Sequence, residues 1–382
     1  MPFQDIRSQA KRRSQQELIE HMNSFELDLK FSAGVWFFSP GGGRFHERYT
    51  PNMDIKGRLK IAGDMAEYGL QAVEAHYPGE VNEDTYHLYQ QMEKDTGVRL
   101  CAVGVGIFYD AQYEWGALSS PIPSARKNAI GTFARSLAFA KEANLDHVIH
   151  WPGIDGWENS FGQDFIAMRD RFSQGLAEAM DQVPGVRVTI EPKPYEPRGR
   201  IIYGTTSEGL LLAQKIESHL TADEHKKMLA EGHAMVAMNP EMGHILMGYE
   251  DPPYAWSLCM EYGRLGHTHW NSQPLGNYDQ DLNAGVISPE QLESSLYVLK
   301  MHGYQGYYGP DLNPERMSVQ QALKNNFDAL SAANDRINSL DNEKVITSTM
   351  SPDRNRGWLE AYLIRARASN PDILSEMPAW EE

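Results

Sequence analysis

Three short segments carry most of the side chains able to do chemistry: Thr189-Ile190-Glu191-Pro192-Lys193-Pro194, Asn239-Pro240-Glu241-Met242-Gly243-His244 and Asn277-Tyr278-Asp279-Gln280-Asp281. Carboxylate and imidazole donors follow apolar, strand-like stretches, and hard divalent cations bind where such oxygen and nitrogen atoms converge. Glu191 and Lys193 are two residues apart, so a strand's alternation puts both on one face, and Pro192, Pro194 and Pro197 stiffen the exit. A plain Glu-Lys ion pair is the structural alternative. Glu241 and His244, three apart, reach a common locus if a helical turn begins there, and a carboxylate with two oxygens can bridge two cations. Taken alone, His244 would read as an ordinary core histidine.

Leu265 to Asn271 places His267 and His269 on one inward face, where imidazoles are costly unless they bind metal or hydrogen-bond a ligand. Asp279 and Asp281 arrive about ten residues later at a spacing suited to chelating one ion. Asp311 closes the last apolar run in Gly309-Pro310-Asp311. Glu191, Glu241, His269 and Asp311 thus form one expected donor set, and Glu241, His244, Asp279 and Asp281 a second. Oxygen-dominated sets with one imidazole each suit two divalent ions of the Mn, Mg or Co type.

The elements that must position these groups alternate. Strands are predicted over Phe31 to Phe38, Gln71 to His76, Arg99 to Gly104, His147 to Trp151, Arg187 to Lys193, Ala234 to Asn239, Gly266 to Trp270 and Gln305 to Tyr308. Helical periodicity fills Ile61 to Tyr68, Glu83 to Thr96, Arg126 to Ala143, Phe165 to Gln182, Ser207 to Ser218, Tyr254 to Tyr262, Leu292 to His302 and Ala322 to Leu340. Strands alternating with helices predict a parallel sheet closed into an α/β (β/α)8 TIM barrel, whose chemistry sits at the carboxyl ends of the strands. We expect an N-terminal helical segment over 1–30, the barrel over 31–336 and a C-terminal extended and helical arm over 337–382. The arm's Trp358, Tyr362 and Trp380 suggest packing on a neighbouring subunit in a dimer or homotetramer, or on the chain's own barrel.

A net charge of −17 over 382 residues argues against a phosphate-tracking surface, and hence against nucleic acid as partner. The two cysteines, Cys101 and Cys259, sit among apolar residues, which argues for a reducing compartment and against a disulfide framework. The polar, basic first fifteen residues lack the apolar core of a secretory signal, and no stretch approaches transmembrane length. A cytoplasmic location without membrane contact is the expectation.

Glu191-Pro192-Lys193-Pro194 with Glu196-Pro197-Arg198, Asn239-Pro240-Glu241 with Gly243-His244, and Tyr278-Asp279-Gln280-Asp281-Leu282 together resemble the xylose isomerase family, from about Phe31 to Asp311. The resemblance implies a two-metal aldose-ketose sugar isomerase that works by a metal-assisted 1,2-hydride shift. It implies that Lys193 polarises the carbonyl end of the open sugar, that His76 assists ring opening, and that Trp151 and Phe108 wall the substrate. Two departures stand out. Where xylose isomerases place an Asp on strand seven, this chain has His269, as in the similar L-rhamnose isomerases, leaving that site one negative charge fewer. Where the family backs its ring-opening His with an Asp three residues on, this chain has Gly79, so Glu80 or a water must orient His76.

A metal-dependent ketose 3-epimerase is the nearest rival, with one ion and solvent hydrogen incorporated at the epimerised carbon. A sugar-binding protein with a diverged site is the non-enzyme alternative, and a metal-dependent endonuclease is opposed by the acidic surface. The sugar itself is not legible, although Phe38, Arg44, Phe45, His46, Tyr109, Trp115 and Trp157 could line a pocket.

Overall fold

Short, mostly apolar or aromatic runs form the strands, and most of the crossover helices begin at a capping side chain or a proline. In the computed structural model, which describes residues 4–41, 47–368 and 380, the barrel strands are β1 (Lys30–Phe31), β2 (Ala72–Tyr77), β3 (Arg99–Val105), β4 (His147–His150), β5 (Val188–Ile190), β6 (Val236–Met238), β7 (His269–Trp270) and β8 (Tyr307–Pro310). Arg44, Phe45 and His46, and residues 369–379, 381 and 382 of the expected arm, lie outside the described residues. Parallel pairing runs β2-β3-β4-β5-β6 on one side and β1-β8-β7 on the other. Single parallel bridges, Phe31 with Leu70 and Gly34 with Glu74, join β1 to β2; Met238 with Leu265 and Glu241 with His269 join β6 to β7. The eight-stranded ring is therefore closed, and the fold is a TIM barrel.

Crossover helices α2 (Ile55–Asp64), α3 (Tyr86–Thr96), α4 (Pro123–Glu142), α5 (Phe165–Gln182), α6 (Thr206–His219), α9 (Pro252–Glu261), α10 (Pro289–His302) and α11 (Val319–Asn338) cover the sheet. The α5 start shows the local logic: the Asp164 carboxylate accepts from the amides of Ile166 and Ala167 at 3.1 and 2.9 Å. Met168, Phe172, Leu176 and Met180 then recur along one buried stripe. Truncating Phe172 to Ala would cost about 3–5 kcal/mol.

The sequence reading places most elements within a few residues. Two differ: the helix expected over Ile61 to Tyr68 begins at Ile55 and gives way to a 3-10 helix over Met65–Tyr68, and of Phe31 to Phe38, expected as one strand, only Lys30–Phe31 pairs as strand while Val35–Phe38 turns into a 3-10 helix. Apolar residues in succession cannot distinguish a buried strand from a buried tight turn. Short helices α7 (Asp223–Ala230) and α8 (Met242–Met247), and the antiparallel pair Gly156–Trp157 with Arg200–Ile201, add to the expected set.

The segment before the barrel contains α1 (Gln15–Ser24), opened by a Ser14–Glu17 capping box. After the barrel come α12 (Asn342–Met350) and α13 (Pro352–Arg365). Ile346 packs with Ile19 and Met22, so the first arm helix lies on the chain's own α1. Trp358 is buried, stacked on Tyr362 at 4.7 Å and edge-on to Trp380 at 5.1 Å. Cys101 and Cys259 are buried and unpaired, and among the described residues no helix is long and apolar enough to cross a membrane.

Candidate active site

Proline ends two of the strands that matter. Pro192 and Pro240 lack the amide a strand would need, so β5 and β6 stop at Ile190 and Met238 and their next side chains turn into the barrel mouth. Glu191, Lys193, Glu241, His244, His269, Asp279, Asp281 and Asp311 all line one cavity of about 200 Å³, walled by Trp36, His76, Phe108 and Trp151. Every residue of the two expected donor sets, with Lys193, His76, Phe108 and Trp151, is in that set, whereas Phe38, Tyr109, Trp115 and Trp157, offered as pocket-lining, are not. Asp279 and Asp281 come from a loop that folds back through a Ser272–Leu282 bridge. This loop is tied to the β5 exit, because Glu196 Oε2 accepts from the Asp279 amide at 2.9 Å and Tyr195 donates its hydroxyl to the Asn277 carbonyl at 2.7 Å.

Two groups of potential donors converge at the mouth, sharing Glu241. In the first, His269 Nδ1 lies 3.0 Å from Glu191 Oε2, 3.6 Å from Asp311 Oδ2 and 3.8 Å from Glu241 Oε2. One donor atom from each of Glu191, Glu241, His269 and Asp311 falls within 4.8 Å of all the others. In the second, His244 Nε2 lies 3.3 Å from Asp279 Oδ2 and 3.4 Å from Glu241 Oε1, and these three residues meet the same limit. Asp281, expected to chelate alongside Asp279, lines the cavity but accepts from Asn271 Nδ2 at 3.0 Å and is not in that group. Lys193 does not pair with Glu191. Its ammonium sits 2.6 Å from Asp279 Oδ2.

Several residues given no role from the sequence turn out to organise the site. Asn271 donates from Nδ2 to Glu241 Oε1 at 2.8 Å as well as to Asp281, while its Oδ1 accepts from the Gly243 amide at 2.7 Å. A Cβ at Gly243 would come within 2.8 Å of that oxygen, which explains the glycine. Asn239 Nδ2 donates to Glu191 Oε2 at 3.0 Å, and Trp36 Nε1 donates to Asp311 Oδ1 at 2.8 Å. Both asparagines were visible in the motifs; Trp36 was hidden by reading its segment as continuous strand. His267 is buried below the cavity, 2.8 Å from Glu74 Oε1, and does not reach the mouth.

His76 closes β2 with its ring against Trp36 and Phe108, at centroid distances of 4.7 and 5.4 Å. Its Nδ1 lies 3.1 Å from Glu80 Oε2, and Arg58 holds Glu80 Oε1 at 2.7 Å. Glu80, one residue beyond Gly79, therefore supplies the orienting carboxylate. Lys193 Nζ is 5.3 Å from the Trp151 ring, and Trp151 meets Phe108 edge-on at 5.1 Å.

Five carboxylates in so little water strain one another. Burial, reinforced by Glu241 and Glu191 against the relief from His269, pushes Asp311 up to about 8. Asp281 is likewise pushed well up by burial, Asp279, Glu241 and Asp311. Asp279 goes the other way, burial being outweighed by His244 and Lys193. Burial is also outweighed at His244 by Glu241 and Asp279, and at His269 by Glu191 and Glu74, so both imidazoles are raised. Asp279 Oδ1 and His244 Nδ1 are buried without a hydrogen-bond partner. Mutual repulsion relieved only in part, with buried donor atoms left without a partner, fits a site built for cations.

A family model described as xylose isomerase-like TIM barrel matches residues 63–332. Xylose isomerase of Thermus thermophilus is 25% identical over 300 residues, spanning 74% of this chain and 71% of that protein. A solved D-tagatose 3-epimerase-like protein is similar in fold, with a TM-score of 0.58 at 15% identity over 81% of this chain and 100% of its own. The IolI protein, solved with a binding zinc atom, gives a TM-score of 0.57 at 11% identity over 82% of this chain and 100% of its own. At such identities these two establish the barrel fold alone.

Proposed function

We propose that this chain, which belongs to the xylose isomerase-like TIM barrel family, is an aldose-ketose isomerase that uses two divalent ions on a small open-chain sugar. The observation that carries the reading is the sharing of Glu241 between two donor groups, with Lys193 paired to Asp279 at the edge of the second. Glu191, Glu241, His269 and Asp311 would hold the first ion; Glu241, His244 and Asp279, with Asp281 beside them, the second. The ions supply Lewis-acid stabilisation of charge developing on two adjacent sugar oxygens; Mn, Mg or Co suits the oxygen-rich donors.

The chain's own groups do the rest. Glu80 fixes His76 through Nδ1, so Nε2 is the ring nitrogen left to carry the anomeric proton during ring opening. Trp36, Phe108 and Trp151 exclude water from the open sugar. Lys193 polarises the carbonyl, and a water held beside Asp279 and Asp281 takes the proton from the hydroxyl on C2. Hydride then passes from C2 to C1 while that proton is returned to the oxygen on C1, which leaves a ketose. Apart from Asp281, every carboxylate lining the cavity belongs to a donor group, so no opposed pair of free bases favours an enediol route.

Turnover of a panel of pentoses, hexoses and deoxyhexoses with added Mn, Mg or Co, run in D2O, tests this reading. Transfer within the sugar retains its hydrogen. Deuterium at C3 would instead assign ketose 3-epimerisation, and no turnover with tight sugar binding would assign a binding protein. The same proposal includes a reducing, cytoplasmic location and a dimer or tetramer joined through 337–382; the mass in solution of a chain shortened at 336 checks the latter.

A further inference from the structure

Below the cavity, inside the barrel, lies a carboxylate that the mechanism above does not use. Glu74 is on β2 two residues before His76, so the strand's alternation turns it inward one layer deeper. It is 0% exposed. Oε1 accepts from Ser32 Oγ at 2.7 Å and from His267 Nε2 at 2.8 Å; Oε2 accepts from His269 Nε2 at 2.9 Å. The space is kept for this arrangement, because a Cβ at Gly309 would come within 2.8 Å of Ser32 Oγ, 3.0 Å of Glu74 Oε1 and 3.2 Å of His267 Nε2. An anion buried this deeply is costly even when hydrogen-bonded, and an apolar side chain would fill the layer more cheaply.

What the carboxylate does is set by the other nitrogen of the same ring. His269 turns Nδ1 toward Glu191, Asp311 and Glu241 while its Nε2 is held by Glu74. A ring that donates from Nε2 keeps its lone pair on Nδ1, and a carboxylate behind an imidazole fixes its orientation and strengthens it as a ligand. We infer that Glu74 is a positioning residue for the first ion: through Ser32, His267 and His269 it locks His269 with Nδ1 facing the donor group and supplies a fourth carboxylate charge from one layer below. This rests on the two-ion reading proposed above.

The test is a double-substitution cycle read by calorimetric Mn titration of metal-stripped full-length chain, with thermal unfolding of each variant before metal is added. Glu74→Gln keeps the volume and should weaken the tighter Mn site by about 10–100-fold. His269→Asp places a carboxylate directly in the donor group and removes the ring that Glu74 orients. In that background Glu74→Gln should weaken Mn binding by less than about threefold, because only the through-space attraction of its charge for the ion is left to lose. Equal losses in both backgrounds, or an unchanged Mn affinity in folded Glu74→Gln, would overturn the assignment while leaving the two-ion reading standing. Failure of the unsubstituted chain to bind Mn would overturn both. Should Glu74→Gln not fold, 15N-histidine NMR of the unsubstituted, Mg-loaded protein decides, with His269→Asp identifying the resonance. A proton on Nε2 of His269 is expected, and one on Nδ1 refutes the inference.

Discussion

Lys193 Nζ and Asp279 Oδ2 lie 2.6 Å apart with both side chains largely buried, joining the exit of β5 to a loop that follows β7. The ammonium is held above its usual range against the pull of burial, chiefly by Asp279. A full positive charge is therefore fixed at the edge of the second donor group, which is where a carbonyl oxygen gaining charge needs it.

Replacing Lys193 with Met removes that charge and keeps much of the stem. We predict a fall in kcat of about 10²-fold or more, with KM changed only a few-fold, since the loss falls on the transition state. Steady-state kinetics separates the two parameters, and an effect confined to KM would contradict the role.

The second donor group makes a separable prediction. Asp279→Asn or His244→Ala should abolish turnover, reduce bound metal from two equivalents to one, and leave the fold intact, because Glu191, His269 and Asp311 are untouched. Metal analysis after dialysis and circular dichroism give the two readouts. Chelation of the unsubstituted protein should lower Tm, and added Mn should restore it by mass action.

Much of this was legible in the sequence because chemistry and punctuation coincide there. Pro192 and Pro240 mark strand ends, and the donors follow within a few residues. Glu74, Asn239 and Asn271 were not assigned roles, since a buried polar residue in an apolar run gives no local sign of what it faces across a barrel. The Glu74 partners lie 42, 193 and 195 residues away in the chain. Trp36 was lost for another reason: an all-apolar run has no period that separates a strand from a 3-10 turn. Conversely, the spacing of Asp279 and Asp281 suggested a shared ion, yet backbone at Asp281 takes φ of 48° and turns its carboxylate to Asn271.

Asp311 sets a pH dependence whose sign is fixed. Its carboxyl is raised from 3.8 to about 8 in the metal-free fold, so between those values the folded state holds a proton that the unfolded state has lost. The contribution of this group to stability therefore declines as pH rises from about 4 to 8. Asp311→Asn should stabilise the metal-free protein increasingly over that window and by a constant amount above it, while weakening the first ion. Thermal unfolding of both proteins from pH 5 to 9 measures the difference, and a gap independent of pH would refute it.

The Arg58–Glu80–His76 relay predicts a defect selective for ring opening. Arg58 holds one oxygen of Glu80, and the other accepts from the His76 amide at 2.8 Å and meets its Nδ1 at 3.1 Å. Glu80→Gln preserves the shape but removes the charge beside the ring, leaving Arg58 without its counterion. In the proposed mechanism a cyclic sugar needs His76 to move the anomeric proton, whereas an acyclic analogue enters already open. We expect kcat/KM for the cyclic substrate to drop by about 10–10²-fold, and that for the acyclic analogue by no more than a few-fold. Parallel losses on both substrates would show instead that Glu80 serves only to hold the end of β2 in place.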